Sequence, residues 1–578
     1  MLGTDVRQPV VYPLEDHDVA CNSRGVLRLC VDLKLTNPEI EIIGKGTWMD
    51  KIADSLIGRE SKLGRSTGLI KVESGLGASG VPHIGSMADA VRSYGVSLAL
   101  RNLGYKSELI AYSDDMDGLR KIPRGFPLWL ENYIAKPVSK IPDPEGDCHR
   151  TYGDHMTDLL LKGLDTIGVE YRFQSASDAY RSGLFVKQID DILIRSKVLG
   201  QKIAKLVGQE KFVEALPYFP ICDSCGRLYV ARAEKYHSEE KKVLYSCIGS
   251  KIGNSHIQGC GHVGESDIVK GKGKLAWKVE FAARWAALDI RFEAFGKDIM
   301  DSVRVNDWVS NEILGYPHPY HVKYELFLDR SGKKISKSTG NVFTPQKWLK
   351  YGTPESIMLL FFKRIVGTRV MGLEEIPSLM NEYDFYEDVY FDKIIEENKA
   401  KVVKIKGIYE YVNHLKPPKY PEAHVPFEFL VQQGSLFPIV ERTEKVYQRL
   451  VKYNMAKEKT PGLVKRIILA SNWIEDKISD TRQGFNRSLG LDERKAVSQL
   501  IEGLQSFRNS EKDPETPKML QSKIFEIARS NFVEPKNFFK LIYKLVLNTD
   551  TGPRLGNYAV DLGIERTCNI LAKHLQHP

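Results

Sequence analysis

The stretch Leu69-Ile70-Lys71-Val72-Glu73-Ser74-Gly75-Leu76-Gly77-Ala78-Ser79-Gly80-Val81-Pro82-His83-Ile84-Gly85-Ser86 decides how this chain is read. Residues 69–73 form a short apolar run of the kind that becomes a buried strand. The glycines that follow permit tight turns and a close approach of backbone to a ligand. Beyond Ser86, the apolar positions Val91, Leu98 and Leu100 mark a helix from about Met87 to Leu103, and Gly104 falls where a helix C-terminal glycine belongs. A second strand, Glu108-Leu109-Ile110-Ala111-Tyr112, runs into Ser113-Asp114-Asp115. Strand, loop, helix and strand in that order make a βαβ crossover, which implies a parallel sheet. Such sheets bind ligands beyond the C-terminal ends of their strands, where the His83 turn and Asp114-Asp115 both fall.

A chain of 578 residues exceeds what one core supports, so several domains are expected. Residues 1–45 show no clear period and read as an N-terminal extension. Residues 46–215 hold the first part of the sheet domain, with an insertion and one later strand, Val169 to Phe173. Residues 216–270, rich in Cys, Gly and His, read as a small metal-binding module. The sheet domain resumes over 271–365, and 366–578 is helical, with a turn at Lys416-Pro417-Pro418. The net charge of +9 suits a polyanionic partner but also fits many ordinary proteins. No run of 18 apolar residues and no secretory pattern at the N-terminus is present, so a cytoplasmic protein without membrane spans is expected. In that compartment clustered cysteines read as metal ligands before they read as bridges.

A second segment, Lys334-Ile335-Ser336-Lys337-Ser338-Thr339-Gly340-Asn341, carries chemistry of its own. Lys334 and Lys337 are point charges suited to a phosphate chain, Ser336 and Ser338 add hydroxyl donors, and Gly332 and Gly340 would let the loop close. Its plainer reading is a solvated basic loop. In the first segment, His83 can donate to phosphate oxygens and Gly85 leaves room for an adenine ring. The following helix start adds N–H groups and a favourable dipole. The plainer reading there is a Gly-rich turn with a surface histidine. Cys222-x-x-Cys225, with Cys247 and Cys260, matches a closed tetrahedral zinc site. The longer gap in the second pair leaves His256 or His262 as substitutes. Asp143, Cys148, His149 and His155 lie within 13 positions and could hold a second zinc, or could be surface polar residues.

The His83 turn followed about 250 residues later by the Lys334 loop resembles the HIGH and KMSKS signatures of class I aminoacyl-tRNA synthetases. Longer strings resemble the class I lysyl-tRNA synthetases in particular. They are Glu73-Ser74-Gly75 with Ser79-Gly80 and His83-Ile84-Gly85, the run Ser113 to Pro123, the run Gly273 to Trp285, Phe292 to Asp298, and Gly552 to Gly556. The similarity runs from about residue 45 to the C-terminus. It implies a Rossmann-type α/β catalytic domain with a zinc-binding insertion, then an α-helical anticodon-binding region. It implies attachment of lysine to tRNA(Lys) with ATP through a lysyl-adenylate, with Mg²⁺ accompanying ATP and one or two Zn²⁺ ions. Transferred residue by residue, His83, Lys334 and Lys337 would be catalytic. Pro82, His83, Gly85, Ser86, Lys334, Ser336, Lys337 and Ser338 would hold ATP. Gly75, Gly77, Asp114, Asp115, Trp277 and Tyr324 would hold the amino acid, although aromatics in such runs are more often core and paired aspartates often cap turns. Three positions depart from the family pattern: Ser86 stands where asparagine is usual, Gly77 where threonine is usual, and Ile299 where a histidine follows Gly-Lys-Asp. The alternatives are a class I synthetase for another amino acid such as glutamate, and a non-catalytic zinc-containing RNA-binding paralogue.

Overall fold

A computed structural model describes residues 42–146, 148–253, 255–325, 327–329, 331–332, 343–422, 424–452, 454–480, 489–511, 513–531, 534–547 and 554–575. Its first helix, α1 (Trp48–Lys62), is not among the expected elements. Thr47 and Asp50 form a reciprocal capping box that starts it. Strand β1 (Ile70–Leu76) reaches further than the apolar run 69–73, because all seven of its residues pair in parallel with β2 (Ser107–Ser113). Between them lies α2 (Ile84–Asn102), which starts at His83 and ends before Gly104 at φ +90°. After α3 (Tyr152–Thr166) comes β3 (Arg172–Ser175), displaced from the expected 169–173. The Val169 N–H bonds back to the Leu164 carbonyl, so this apolar residue closes the end of α3 rather than opening a strand.

Helix α4 (Trp277–Leu288) leads to β4 (Ile290–Gly296), and β5 (Tyr320–Tyr324) completes the sheet. The strands lie in the order β5-β4-β1-β2-β3, and every neighbouring pair is parallel. This is the Rossmann-type arrangement that the crossover implied, and its order reverses between β1 and β4. Alternation of side chains assigns the two faces, except that a register shift against β1 puts Ile290 and Phe292 of β4 on opposite sides. Val72, Leu109 and Phe292 join Met49, Val91 and Phe362 in one core, while Ile110, Tyr112 and Ile290 join Val279, Trp285 and Ile189 in the other. On the first face α1 and α2 cross closely: a Cβ at Gly95 would stand 2.6 Å from Met49 Sδ.

A three-stranded antiparallel sheet (Ala231–His237, Lys242–Cys247, Val263–Asp267) and the hairpin Gly249–Ile252/Ser255–Gln258 form the cysteine-rich segment. Past 365 the described chain is helical, except for Arg369–Val370, which pairs with Phe327–Leu328. Buried residues between Leu489 and Leu571 make a core of their own. Among the described residues no helix is long and apolar enough to cross a membrane.

Phe292 is fully buried in the middle of the sheet. Phe292→Ala should cost about 3–5 kcal/mol, the usual range for emptying such a site. A thermal scan should show a clearly lower melting midpoint, and an unchanged midpoint would contradict this core assignment.

Candidate active site

At the C-terminal ends of β1 and β4, where the strand order reverses, the fold leaves a cavity of about 220 Å³. Seven expected site residues line it: Gly75, Gly77, His83, Gly85, Asp114, Trp277 and Tyr324. Ile299, like Gly77 a departure from the family pattern, lines it too.

Beneath it lies a buried charge cluster, of which Asp114, Arg284 and Glu293 line the cavity. Glu73 of β1 and Glu293 of β4 are register partners, so two carboxylates face one another across neighbouring strands. Like charges so placed repel. The Arg284 guanidinium, carried by α4, answers both: Nε lies 2.5 Å from Glu73, Nη2 3.3 Å from Glu293, and Nη1 3.2 Å from Asp114. Tyr112 lies beneath it, 4.5 Å from ring centre to guanidinium carbon. Trp285 Nε1 donates to the other Glu293 oxygen at 2.5 Å. Beside this group, the buried Lys274 ammonium sits 2.5 Å from Asp117 and 2.8 Å from Glu280. Trp277 Nε1 also donates to Asp117, at 3.2 Å. Five carboxylates therefore share two cations. Burial pushes the Asp114 carboxyl up to about 7 against the pull of Arg284. Burial likewise raises Glu73 well above the usual carboxylate range, with Glu293 and Asp114 adding to the rise that Arg284 opposes. The cavity thus favours a cationic ligand.

His83 caps α2, its Nδ1 accepting from the Ser86 N–H at 3.3 Å. A neutral imidazole that accepts at Nδ1 carries its proton on Nε2, which makes Nε2 the donor. Gly85 has a steric role that its sequence position did not reveal: a Cβ there would stand 2.8 Å from His83 Cε1. Pro82 is buried and Ser86 half-buried beside this turn. Lys334, Ser336, Lys337 and Ser338 lie outside the described residues. The chain on either side of them is fixed at the site: Phe327 lines the cavity, and the Phe343 carbonyl accepts from the Ile84 N–H at 2.8 Å.

Tyr324 donates its hydroxyl to Asp89, and the Arg92 guanidinium lies 4.1 Å over its ring. Asp115 does not line the cavity. Its carboxylate accepts from the Ser177 N–H at 2.7 Å and from the Ser177 hydroxyl. Arg284, Glu73, Glu293, Asp89 and Phe327 complete the site without having been expected in it. The available signal was charge inside apolar runs: Glu73 in a strand and Arg284 between alanine and tryptophan.

Both metal constellations assemble. Ligand atoms of Cys222, Cys225, Cys247 and Cys260 all lie within 4.8 Å of one another, without His256 or His262. The Cys222–Cys260 sulfurs are 3.6 Å apart and the Cys225–Cys247 sulfurs 3.8 Å. Four sulfurs tetrahedral about zinc at roughly 2.3 Å would have that spacing. Asp143, Cys148, His149 and His155 converge equally closely, with Cys148 Sγ 3.1 Å from Asp143 and 3.3 Å from His155 Nδ1. Nearby, the Tyr152 hydroxyl donates to the Ser79 carbonyl in the glycine-rich loop at 3.3 Å.

Residues 46–415 match the family described as tRNA synthetases class I (K). The chain belongs to that family. A lysine–tRNA ligase of Cenarchaeum symbiosum is 51% identical over 93% of this chain and 100% of its own length. A lysine–tRNA ligase of Rickettsia prowazekii is 30% identical over 91% of this chain and 95% of its own. Among solved structures, a glutamate tRNA ligase from Elizabethkingia meningosepticum, in complex with its amino acid, covers 88% of this chain and 99% of its own. It does so at 12% identity and a TM-score of 0.38, too distant to add to the family match.

For a class I synthetase the His83 turn makes a direct demand on Gly85. Gly85→Ala should push the imidazole off the helix start and lower ATP–pyrophosphate exchange by about tenfold or more, since small misplacements at a reacting centre are costly. Undiminished exchange would remove the steric role given to this glycine.

Proposed function

We propose that this chain is a lysine–tRNA ligase whose activation chemistry occurs in the acidic cavity beneath the His83 turn. The observation that carries the reading is the attachment of both flanks of the lysine-rich loop to that turn: Phe327 on the cavity wall and Phe343 bonded to Ile84. This reading gives Lys334 and Lys337 the triphosphate that also meets His83.

In this reading the lysine carboxylate attacks the ATP α-phosphate. A phosphorus–oxygen bond forms to lysine, the bond to the β-phosphate bridging oxygen breaks, and pyrophosphate leaves. No side chain forms a covalent intermediate. Catalysis consists of placement and of charge stabilisation at the phosphates, by His83 Nε2, the α2 N-terminus and the two lysines. Mg²⁺ accompanying ATP would supply further charge neutralisation at the phosphates. A terminal ribose hydroxyl of tRNA then attacks the lysyl carbonyl, an ester bond forms, the anhydride bond breaks and AMP leaves.

Two ammonium groups on lysine suit a cavity lined by the carboxylates of Asp89, Asp114, Glu293, Asp298 and Glu325 and by the Arg284 guanidinium. A glutamate side chain would meet repulsion there, which disfavours the glutamate reading. The intact His83, Gly85, Lys334 and Lys337 disfavour a non-catalytic paralogue. We assign 46–215 and 271–365 to catalysis, 216–270 to a zinc module and 366–578 to the tRNA anticodon arm, where unstacked bases are open to reading.

Four measurements test this. In ATP–pyrophosphate exchange with a panel of amino acids, lysine should be the efficient substrate, and a preference for glutamate would overturn the assignment. Lys337→Ala should reduce adenylate formation at least tenfold (about 1.4 kcal/mol in the barrier) while tRNA binding persists, and unchanged adenylation would refute its role. Below about pH 7 Asp114 holds a proton, and above it the carboxylate attracts an ammonium. The KM for lysine should therefore fall between pH 6 and pH 8, and a rising KM would contradict the pairing. Metal analysis should find one or two zinc ions per chain, and chelation should unfold 216–270.

A further inference from the structure

The cluster of Asp143, Cys148, His149 and His155 lies outside the acidic cavity, and none of the four lines it. The four gather at the start of α3: Cys148 and His149 precede its cap, Thr151, and His155 follows in the first turn. Asp143 is aimed by the backbone, its carboxylate accepting from the Glu145 N–H at 3.0 Å and from the His149 N–H at 2.8 Å. A carboxylate, a thiolate and two imidazoles suit zinc. From this end α3 reaches toward the cavity. Tyr152, its first residue, is fully buried and donates its hydroxyl to the Ser79 carbonyl at 3.3 Å. Tyr152 and Met156 share a small core with Ala78 of the same glycine-rich loop. Further along, the buried Thr157 hydroxyl is hydrogen-bonded to the Ser113 hydroxyl at 2.7 Å, one residue before Asp114. Gly153 packs on residues 138–139, where a Cβ would stand 3.2 Å from the Ser139 nitrogen. There the Ser139 N–H donates to the Asp115 carbonyl at 3.0 Å and the Val138 N–H to the Asp117 carbonyl at 2.9 Å. The two loops so held carry Gly77 and His83 on one side and Asp114 on the other, all of which line the cavity.

We infer that α3 couples metal binding at this cluster to lysine binding in the acidic cavity. The four ligands, drawn to one ion, fix the helix start, and the Tyr152 and Thr157 hydroxyls pass that order to the two loops. The first turn of a helix is its weakest part, because its first four N–H groups have no partner within the helix. Tyr152 lies in that turn, so its bond to Ser79 depends on how firmly residues 143–149 hold the helix start. The described residues of that segment form no helix or strand of their own, and a shared ion would tie them to His155. Small displacements of groups that line a site are costly. Coupling between two binding sites is reciprocal: metal strengthens lysine binding by the same factor by which lysine strengthens metal binding. Tyr152 and Thr157 are positioning residues, since neither lines the cavity. This inference rests on the ligase reading, and the two can fail separately.

The test uses the full chain loaded with Zn²⁺. Zinc affinity is read by competition with a chromogenic chelator and lysine affinity by calorimetry, so neither readout is an activity. In the parent, saturating lysine should raise the zinc affinity of this cluster about fivefold or more, the usual scale of coupling between sites. Cys148→Ser with His149→Ala removes two ligands, one exposed and one half-buried, and spares the core. That variant should lose about one zinc ion per chain and bind lysine more weakly by the same factor. Tyr152→Phe with Thr157→Val keeps every ligand and nearly all the packing. It should retain the zinc but lose the effect of lysine on zinc affinity, and coupling that survives this pair would overturn the route through α3. Zinc affinity in the parent that is indifferent to bound lysine would overturn the inference outright, a measurement that does not depend on any variant folding. A parent that binds no lysine at all would overturn the ligase reading and this inference with it.

Discussion

One guanidinium organises the catalytic end of this protein. Glu73 and Glu293 are brought together by the register of two parallel strands, and Asp114 follows from the end of a third. Without Arg284 the three carboxylates would be buried and mutually repelling. Breaking such a buried group by removing one partner typically costs about 3–5 kcal/mol, because the remaining charges stay uncompensated. Even with Arg284 present, the cluster holds more carboxyl groups than cations. That imbalance is unfavourable to an empty fold and favourable to a fold that awaits a cation. The same residues thus serve the sheet and define what it binds.

The His83 turn lines the same cavity as Asp114 and Glu293 of this cluster. His83 is fixed as the cap of a buried helix, which leaves its proton on Nε2. The segments bordering the lysine-rich loop end at that same turn, though the loop leaves the sheet domain about 250 residues later in the chain. Trp277 lines this cavity and donates a hydrogen bond to Asp117, which also pairs with Lys274. Two cysteine-containing clusters assemble, one in the hairpin module and one beside the glycine-rich loop.

The parts legible in the sequence were local. A strand, a glycine-rich turn and a helix ended by Gly104 are written in consecutive residues, and the Rossmann-type sheet follows from their order. The four cysteines were legible because their spacing and compartment leave few other uses. Legibility ended where long-range pairing decides. Glu73 and Arg284 are 211 positions apart, and nothing near either one announces the other. Asp114 and Asp115 look equivalent in sequence, yet neighbouring residues leaving a strand point to opposite sides. One meets Arg284 and the other Ser177. Val169 has the composition of a strand residue, but tertiary packing spends it on the end of α3. Gly85 was read as room for a nucleotide, while its nearest neighbour is the histidine ring two residues before it.

The claim that an excess of buried carboxylate selects the amino acid is tested most directly by titrating the protein with lysine and with norleucine, which keeps the α-amine and the length but lacks the ε-ammonium. The account expects norleucine to bind about 30-fold more weakly or worse, the scale of losing one buried charge pair. Equal affinity for the two would contradict it.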